Sequence, residues 1–237
     1  MTQQQAAGDH GTLRILSSTA LKSVMADLGP LFERRSGLAL EIEYGTSNQM
    51  MDRIKAGEAA DLALLTGAGI EELIVAGRLA AGSRMDFART GIGVAVRAGT
   101  PLPDIGTVEA FKRALLQAPS VTYTASGASG VYFAGVLQRL GIADQIRAKA
   151  RIPAGGLIGE LLVRGEAELG VQLISELLAV PGLVLAGPLP RELQNIMMFS
   201  AGIFVNTAQA AQSQAFYGFL TAAESRRVME QKGMQAP

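Results

Sequence analysis

The stretch LRILSSTALKSVMADLGPLFERRSGLALEIEYGTSNQMMDRIK, Leu13–Lys55, decides the fold. Leu13–Leu16 is a short apolar run that predicts a strand. From Thr19 to about Arg35, the apolar residues Leu21, Val24, Met25, Leu28, Leu31 and Phe32 recur at the helical period. Gly37 follows where a C-terminal glycine cap belongs, and Ser18 or Thr19 is placed to cap the start. Leu38, Leu40, Ile42 and Tyr44 then alternate with polar or small neighbours, the period of a half-buried strand. That strand runs straight into Gly45-Thr46-Ser47-Asn48, which opens a second helix over 49–56, closed by Gly57. Strand–loop–helix units in succession are the signature of an α/β protein with a mostly parallel sheet.

The pattern continues outward. Ala60–Leu65 predicts a third strand and Ile70–Ala76 a helix ended by Gly77. Ile92–Val96 is an apolar strand that leads into a Pro/Gly-rich stretch without helical periodicity, which suits a chain passing between two lobes. A second α/β set follows: helix Val108–Leu116, strand Ser120–Thr124, helix Val131–Leu140, helix Leu157–Val163 and strand Glu168–Gln172. Strand Leu183–Ala186 leads to GPLP, Gly187–Pro190, a second stiff segment able to carry the chain back. A strand in IMMFSAGIFV and a helix over Ala208–Ala222 complete the first lobe. The expected division is residues 12–88 with 191–237 as lobe 1, residues 89–190 as lobe 2, and residues 1–11 as a flexible tail.

Composition narrows the function. Apolar residues make up 49% of the 237 residues and charged ones 18%, an ordinary globular balance. The 21 basic and 21 acidic residues cancel without forming a long run, which excludes an electrostatic surface for nucleic acid. With no cysteine, disulfides, thiolate metal sites and cysteine nucleophiles are excluded. The single histidine, His10, lies in the polar start, so histidine triads and histidine metal clusters are excluded too. No cofactor and no metal are expected. No apolar run approaches the length of a membrane span, and residues 1–11 lack the apolar centre of a secretory signal. The protein is expected in the periplasm if an upstream signal has been removed, and otherwise in the cytoplasm.

Three strand-to-helix loops are rich in hydroxyl and glycine residues: Ser17-Ser18-Thr19, Gly45-Thr46-Ser47-Asn48 and Ala125–Gly130. Ligands of open α/β sheets bind at this edge, where helix starts offer unpaired N–H groups and the positive end of the helix dipole. The dipole contributes about 0.3–1 kcal/mol per helix end. The same residue types also cap helices that bind nothing. The candidate ligand-binding residues are therefore Ser17, Ser18, Thr19, Thr46, Ser47, Asn48, Ser126, Ser129 and Gly130. Lys22, Arg89 and Gln172 join them if they face the cleft; the cations are otherwise surface residues and Gln172 a strand end. Tyr132 either reaches the cleft or packs beneath it. Dinucleotide, P-loop, hydrolase-elbow and zincin motifs are all absent.

LRILSSTALKSVMADLGPLFERRSG, EIEYGTSNQMMDRIKAGEAADLALLT and ASGASGVYFAGVLQRLGI, in that order, resemble the molybdate-binding-protein-like (ModA-like) branch of the extracellular solute-binding proteins. The resemblance runs from about Leu13 to Gly233. It implies the type II periplasmic binding protein fold: two α/β lobes, two crossover segments and a ligand cleft between the lobes. It maps the oxyanion site to Thr19 or Ala20, to Ser47, to Ser129 and to the region near Leu157. The tyrosine of molybdate binders appears here as Leu173, and Ala20 stands where a serine is expected, which leaves molybdate short of two donors. The segments TALKSV, ARTGIGVAVRAGTPLPDI and GPLPRELQ look like a divergent subgroup that is also similar to aconitate isomerase.

Two functions follow from the resemblance. One is a monomeric binding protein that captures a small anion, molybdate-like or an organic carboxylate, and presents it to the membrane component of an ABC-type transporter. The other is an isomerase of a di- or tricarboxylate on the same scaffold, which needs a proton-transfer group. Lys22, Tyr132 and Glu176 are the candidates for that role.

Overall fold

A computed structural model describes residues 11–237. His10 and the expected N-terminal tail, apart from Gly11, lie outside the described residues. The elements run β1 (Thr12–Ser18), α1 (Lys22–Ser36), β2 (Ala39–Gly45), α2 (Ser47–Lys55), β3 (Leu62–Thr66) and α3 (Gly67–Val75), then the long β4 (Met85–Arg97). They continue as α4 (Val108–Gln117), β5 (Val121–Thr122), α5 (Ala128–Arg139), α6 (Ala143–Arg147), β6 (Ala150–Arg151), α7 (Gly159–Val163), β7 (Leu169–Leu173) and α8 (Ile174–Leu178). The chain closes with β8 (Leu183–Pro188), β9 (Ile196–Ile203), α9 (Ala210–Leu220) and α10 (Ala223–Gln231).

The sheet order is β2-β1-β3-β9-β4-β7-β5-β6, with β8 pairing β4 off this path. β1 lies parallel to β2 and β3, and β5 parallel to β6 and β7. β4 belongs to both halves. Its residues Met85–Gly91 pair with β9, and Ile92–Arg97 pair with β7 and β8. The sequence reading recovered only its apolar half, Ile92–Val96. In MDFARTG the polar Asp86 and Arg89 interrupt the apolar pattern, yet Asp86 is held by Arg84 and by the Ser200 hydroxyl, so the ladder continues through it.

The return passage is a strand as well. Gly187-Pro188 pairs with Val94 and Gly93, and Leu189 N–H bonds Ile92 O at 3.0 Å. After a single 3-10 turn at Arg191–Leu193, the Gln194 amide clamps Ile92 from both sides, accepting from its N–H and donating to its carbonyl, each at 2.9 Å. The passages between the halves are thus adjacent strands pinned at one residue.

Helices cover each half. Phe32 of α1 meets Phe216 of α9 edge-on at 4.9 Å, and Phe133 of α5 meets Tyr123 at 5.1 Å. Such pairs contribute about 0.5–1.5 kcal/mol beyond the burial of their area. Two short helices, α6 and α8, and the final α10 have no counterpart in the sequence reading. α6 and α8 are five residues each, too short to show a period. No helix among the described residues is long and apolar enough to cross a membrane.

Candidate functional site

Because β1 and β2 run parallel, they end side by side at Ser18 and Gly45, and the loops after them enter α1 and α2 at one edge. β5 and β7 of the other half end at Thr122 and Leu173, where Leu173 pairs with Ile92 at the crossover. The two sets of strand ends therefore face each other. Between them lies a cavity of ≈ 20 Å³, room for about one water. Ser18, Thr19, Ala20, Thr46 and Ser47 line it from one half; Thr124, Gly127, Ala128, Gly156, Gln172, Leu173 and Glu176 line it from the other, with Phe199 of β9 behind.

The first turns of α2 and α5 contribute N–H groups that lack intrahelical partners. Several hydroxyls are already engaged. Thr46 Oγ1 accepts from Gln49 N–H at 3.2 Å and Gln49 returns a bond to Thr46 N–H at 3.0 Å, a complete capping box. Ser18 accepts weakly from Ala20 N–H at 3.4 Å. Thr19 and Ser47 keep hydroxyls at the cavity wall without a bond to another described residue. Gln172 is buried, but its amide accepts from Ile158 N–H at 3.1 Å and donates to Gly156 O at 2.8 Å, so it shapes the 156–158 loop from below.

Glu176 is the one carboxyl at this wall. It is 8% exposed and has no ion-pair partner among the described residues. Burial pushes its carboxyl up to about 8, against a weaker opposing backbone hydrogen bond at Leu173. It also lines a second, larger cavity of ≈ 310 Å³, together with Thr19, Ala20 and Lys22.

Of the sequence-derived candidates, the structure brings Ser18, Thr19, Thr46, Ser47, Gln172 and Glu176 to the small cavity and Lys22 to the larger one. The others lie elsewhere. Ser17 is fully buried within β1 and turns its hydroxyl to Ser18 O. Arg89 exposes its side chain because its backbone is taken up by Gln235 on one side and β9 on the other. Ser129 is buried inside the first turn of α5, and Gly130 presses against the Thr124 carbonyl, where a Cβ would come within 1.8 Å. Ser126 donates its hydroxyl to Ala154 O, which anchors the loop from outside the cavity. Asn48 is exposed and bridges to Ser126 O at 3.1 Å. Tyr132 donates to Leu193 O at 3.2 Å, so it packs under the return passage and lines neither cavity.

Sequence reasoning missed Thr124, Gly156 and Phe199. Thr124 carried a usable signal, since it ends the SVTYT run just as Ser17-Ser18 end LRIL. Its hydroxyl is buried and has no hydrogen-bond partner among the described residues. Phe199 carried none: only the register that sets it opposite Thr66 and Ala88 brings it to the cleft.

The solved structure of the Azotobacter vinelandii periplasmic molybdate-binding protein superposes with a TM-score of 0.81 at 19% identity, covering 95% of this chain and 99% of that one. A curated aconitate isomerase from Pseudomonas sp. is 33% identical over 230 residues, 94% of this chain and 87% of the relative. The molybdate-binding protein ModA of Mycobacterium bovis is 19% identical over 232 residues, 94% of this chain and 84% of the relative. The family described as bacterial extracellular solute-binding protein matches residues 13–235, the whole of the two-lobed α/β fold and its cleft, and the chain belongs to that family.

Proposed function

We propose that the cleft binds the carboxylate head of a small organic polycarboxylate, and that the protein serves as a monomeric binding component for an ABC-type transporter in the periplasm. The observation that carries this reading is Glu176, a buried carboxyl at the cavity wall whose raised titration keeps it protonated at neutral pH. A neutral carboxyl donates one O–H. Together with the Thr19 and Ser47 hydroxyls and the α2 and α5 N–H groups it suits the two oxygens of a planar carboxylate. A tetrahedral oxyanion has four oxygens to satisfy, and each one left unmatched when buried costs about 1–3 kcal/mol. Leu173 and Ala20 supply no side-chain donor.

In this reading residues 12–88 with 191–237 form one lobe and 89–190 the other, and they close about the Gly91–Ile92 step of β4, where its pairing changes partners. A thermal-shift screen tests the ligand class. Citrate, cis-aconitate, trans-aconitate and short dicarboxylates are expected to raise the melting temperature. A ligand at a hundred times its Kd stabilises by about 2.7 kcal/mol. A shift with molybdate and tungstate alone overturns the proposal.

Glu176 together with the 33% identity to aconitate isomerase favours a second reading, isomerisation of such a ligand. Moving a double bond along a polycarboxylate requires removal of a proton from one carbon and delivery of a proton to another. The Glu176 carboxylate form would take the first and return it, leaving the enzyme unchanged. Proton NMR of cis- and trans-aconitate incubated with the protein tests this, with Glu176→Gln expected to abolish conversion while still binding. Absence of any conversion leaves the binding function alone.

A further inference from the structure

We infer that Gln172 is a positioning residue for the ligand: its side-chain amide locks the loop over 155–158 into the conformation in which that loop walls the small cavity and meets the opposite half of the sheet. This role rests on the cleft being the binding site, as proposed above, and deepens that reading by naming what holds one of its walls. β7 is buried at every residue, Leu169–Leu173. A glutamine in such a strand needs partners for a group that both donates and accepts. Gln172, 1% exposed, directs both atoms to one loop: Oε1 accepts from Ile158 N–H at 3.1 Å and Nε2 donates to Gly156 O at 2.8 Å.

Gly170, two residues back on the same face of β7, receives the apolar end of the loop. A Cβ there would come within 2.6 Å of Ile158 Cδ1, and Ile158 is itself 1% exposed. The strand thus holds the loop with an amide at one position and with space at the other. Upstream, Pro153 O and Ala154 O accept from Ala125 N–H at 2.8 Å and Ser126 N–H at 3.1 Å, which ties the loop to the approach to α5.

The segment between these anchors is the one that reaches the cavity. Gly156 lines it and takes a φ of +90°, a conformation that favours glycine. A Cβ on Gly155 would come within 2.9 Å of the methyl of Thr46, the α2 cap that lines the same cavity from the other half. Among the described residues, the backbone of Gly155 and Gly156 is held by no hydrogen bond other than the one from Gln172. Without that amide two glycines, the residue type with the most backbone freedom, have nothing to fix them. The wall then forms only part of the time, and affinity falls by the fraction lost.

The test is isothermal titration of trans-aconitate into the wild type, Gln172→Leu and Gln172→Glu at pH 5 and pH 8.5, with each variant's Kd divided by that of the wild type at the same pH so that titration of Glu176 cancels. Gln172→Leu is expected to bind about tenfold weaker at both. In Gln172→Glu the buried carboxyl stays protonated at pH 5 and can accept and donate as the amide does, so binding within about twofold of the wild type is expected. At pH 8.5 its ionised form has no proton for Gly156 O, and affinity is expected to fall about tenfold. Hydrogen exchange reads the loop itself: Ile158 N–H is expected to exchange at least about tenfold faster in Gln172→Leu, with the amides of β1 unchanged. Wild-type affinity in Gln172→Leu at both pH values overturns the role while the carboxylate reading stands. An equal loss in Gln172→Glu at both overturns it too, since side-chain packing and not the pair of hydrogen bonds is then at stake. If Gln172→Leu does not fold, the pH dependence of Gln172→Glu decides alone. If the wild type binds molybdate and no carboxylate, the carboxylate reading fails and the same titrations with molybdate decide the role of Gln172. If it binds neither, the cleft reading fails and this inference with it.

Discussion

Asn48 at the start of α2 donates its side-chain N–H to the backbone carbonyl of Ser126, 3.1 Å away at the mouth of α5 and 78 residues along the chain. The bond joins loops from opposite halves of the sheet above the cavity. Ser175 reaches across lower down, its hydroxyl 3.4 Å from Ala20 O, and Gly155 leaves just enough space for the Thr46 methyl. The strand-end loops are therefore held together by polar contacts of modest strength, a device suited to opening and closing.

If Asn48 holds the mouth shut, Asn48→Ala accelerates ligand release. An uncharged hydrogen bond contributes about 0.5–1.5 kcal/mol, so the off-rate is expected to rise about twofold to tenfold with little change in on-rate. Stopped-flow displacement measures both, and an unaltered off-rate removes Asn48 as a latch.

Thr124→Val separates ligand binding from stability. The Thr124 hydroxyl is buried at the cavity wall without a partner among the described residues, and a Cβ on Gly127 or Gly130 would come within 2.4 or 2.6 Å of it. A buried donor left unmatched costs about 1–3 kcal/mol, which the isosteric valine avoids. The unliganded variant is expected to melt higher than the wild type, and ligand affinity to fall about tenfold. A fall in both quantities shows that the hydroxyl has a protein partner in solution.

Glu176 makes stability depend on pH in a calculable direction. Its ordinary value is 4.5 and burial pushes it up to about 8. Between those values the folded chain keeps a proton that the unfolded chain has released, so stability falls as pH rises through this window and levels off above it. The full loss is on the order of 5 kcal/mol, and Glu176→Gln should abolish it. Urea midpoints at pH 5 and pH 8.5 check the sign: the glutamine variant is expected to be the more stable at pH 8.5, with the gap closing at pH 5.

The α/β alternation was legible because each unit of the first half carries its own local marks, an apolar run, a hydroxyl-rich loop, a helical period and a closing glycine. Gly37, Gly57 and Gly77 all adopt the positive φ that those marks imply. Half of the candidate site was legible for the same reason, since Ser18, Thr19, Thr46 and Ser47 sit at strand ends whose edge the pattern defines. What was not legible depends on partners distant in sequence. Arg89 was drawn away by Gln235, 146 residues on in the numbering of the chain, and Tyr132 by Leu193. Glu176 was among the proton-transfer candidates, but its burial was not legible, since nothing in ELGVQLISELL distinguishes a carboxyl facing solvent from one sealed beneath a cleft.

Two glycines of the same helix, Gly130 and Gly135 of α5, should respond oppositely to alanine. At Gly130 the added Cβ would come 1.8 Å from the Thr124 carbonyl oxygen and 2.7 Å from its carbon. These are backbone atoms, so no rotamer relieves the clash; either α5 or the end of the β5 segment must move. The cost is expected to reach about 3 kcal/mol or more, and ligand affinity falls with it because Gly127 and Ala128 move away from the cavity. At Gly135 nothing lies within 4 Å of the added Cβ. There the substitution replaces a poor helix former with the best one, a gain of about 0.5–1 kcal/mol with affinity unchanged. Urea unfolding with equal m-values reads both effects. Destabilisation by Gly135→Ala, or tolerance of Gly130→Ala, shows that α5 sits differently against β5 than the packing of Gly130 on Thr124 requires.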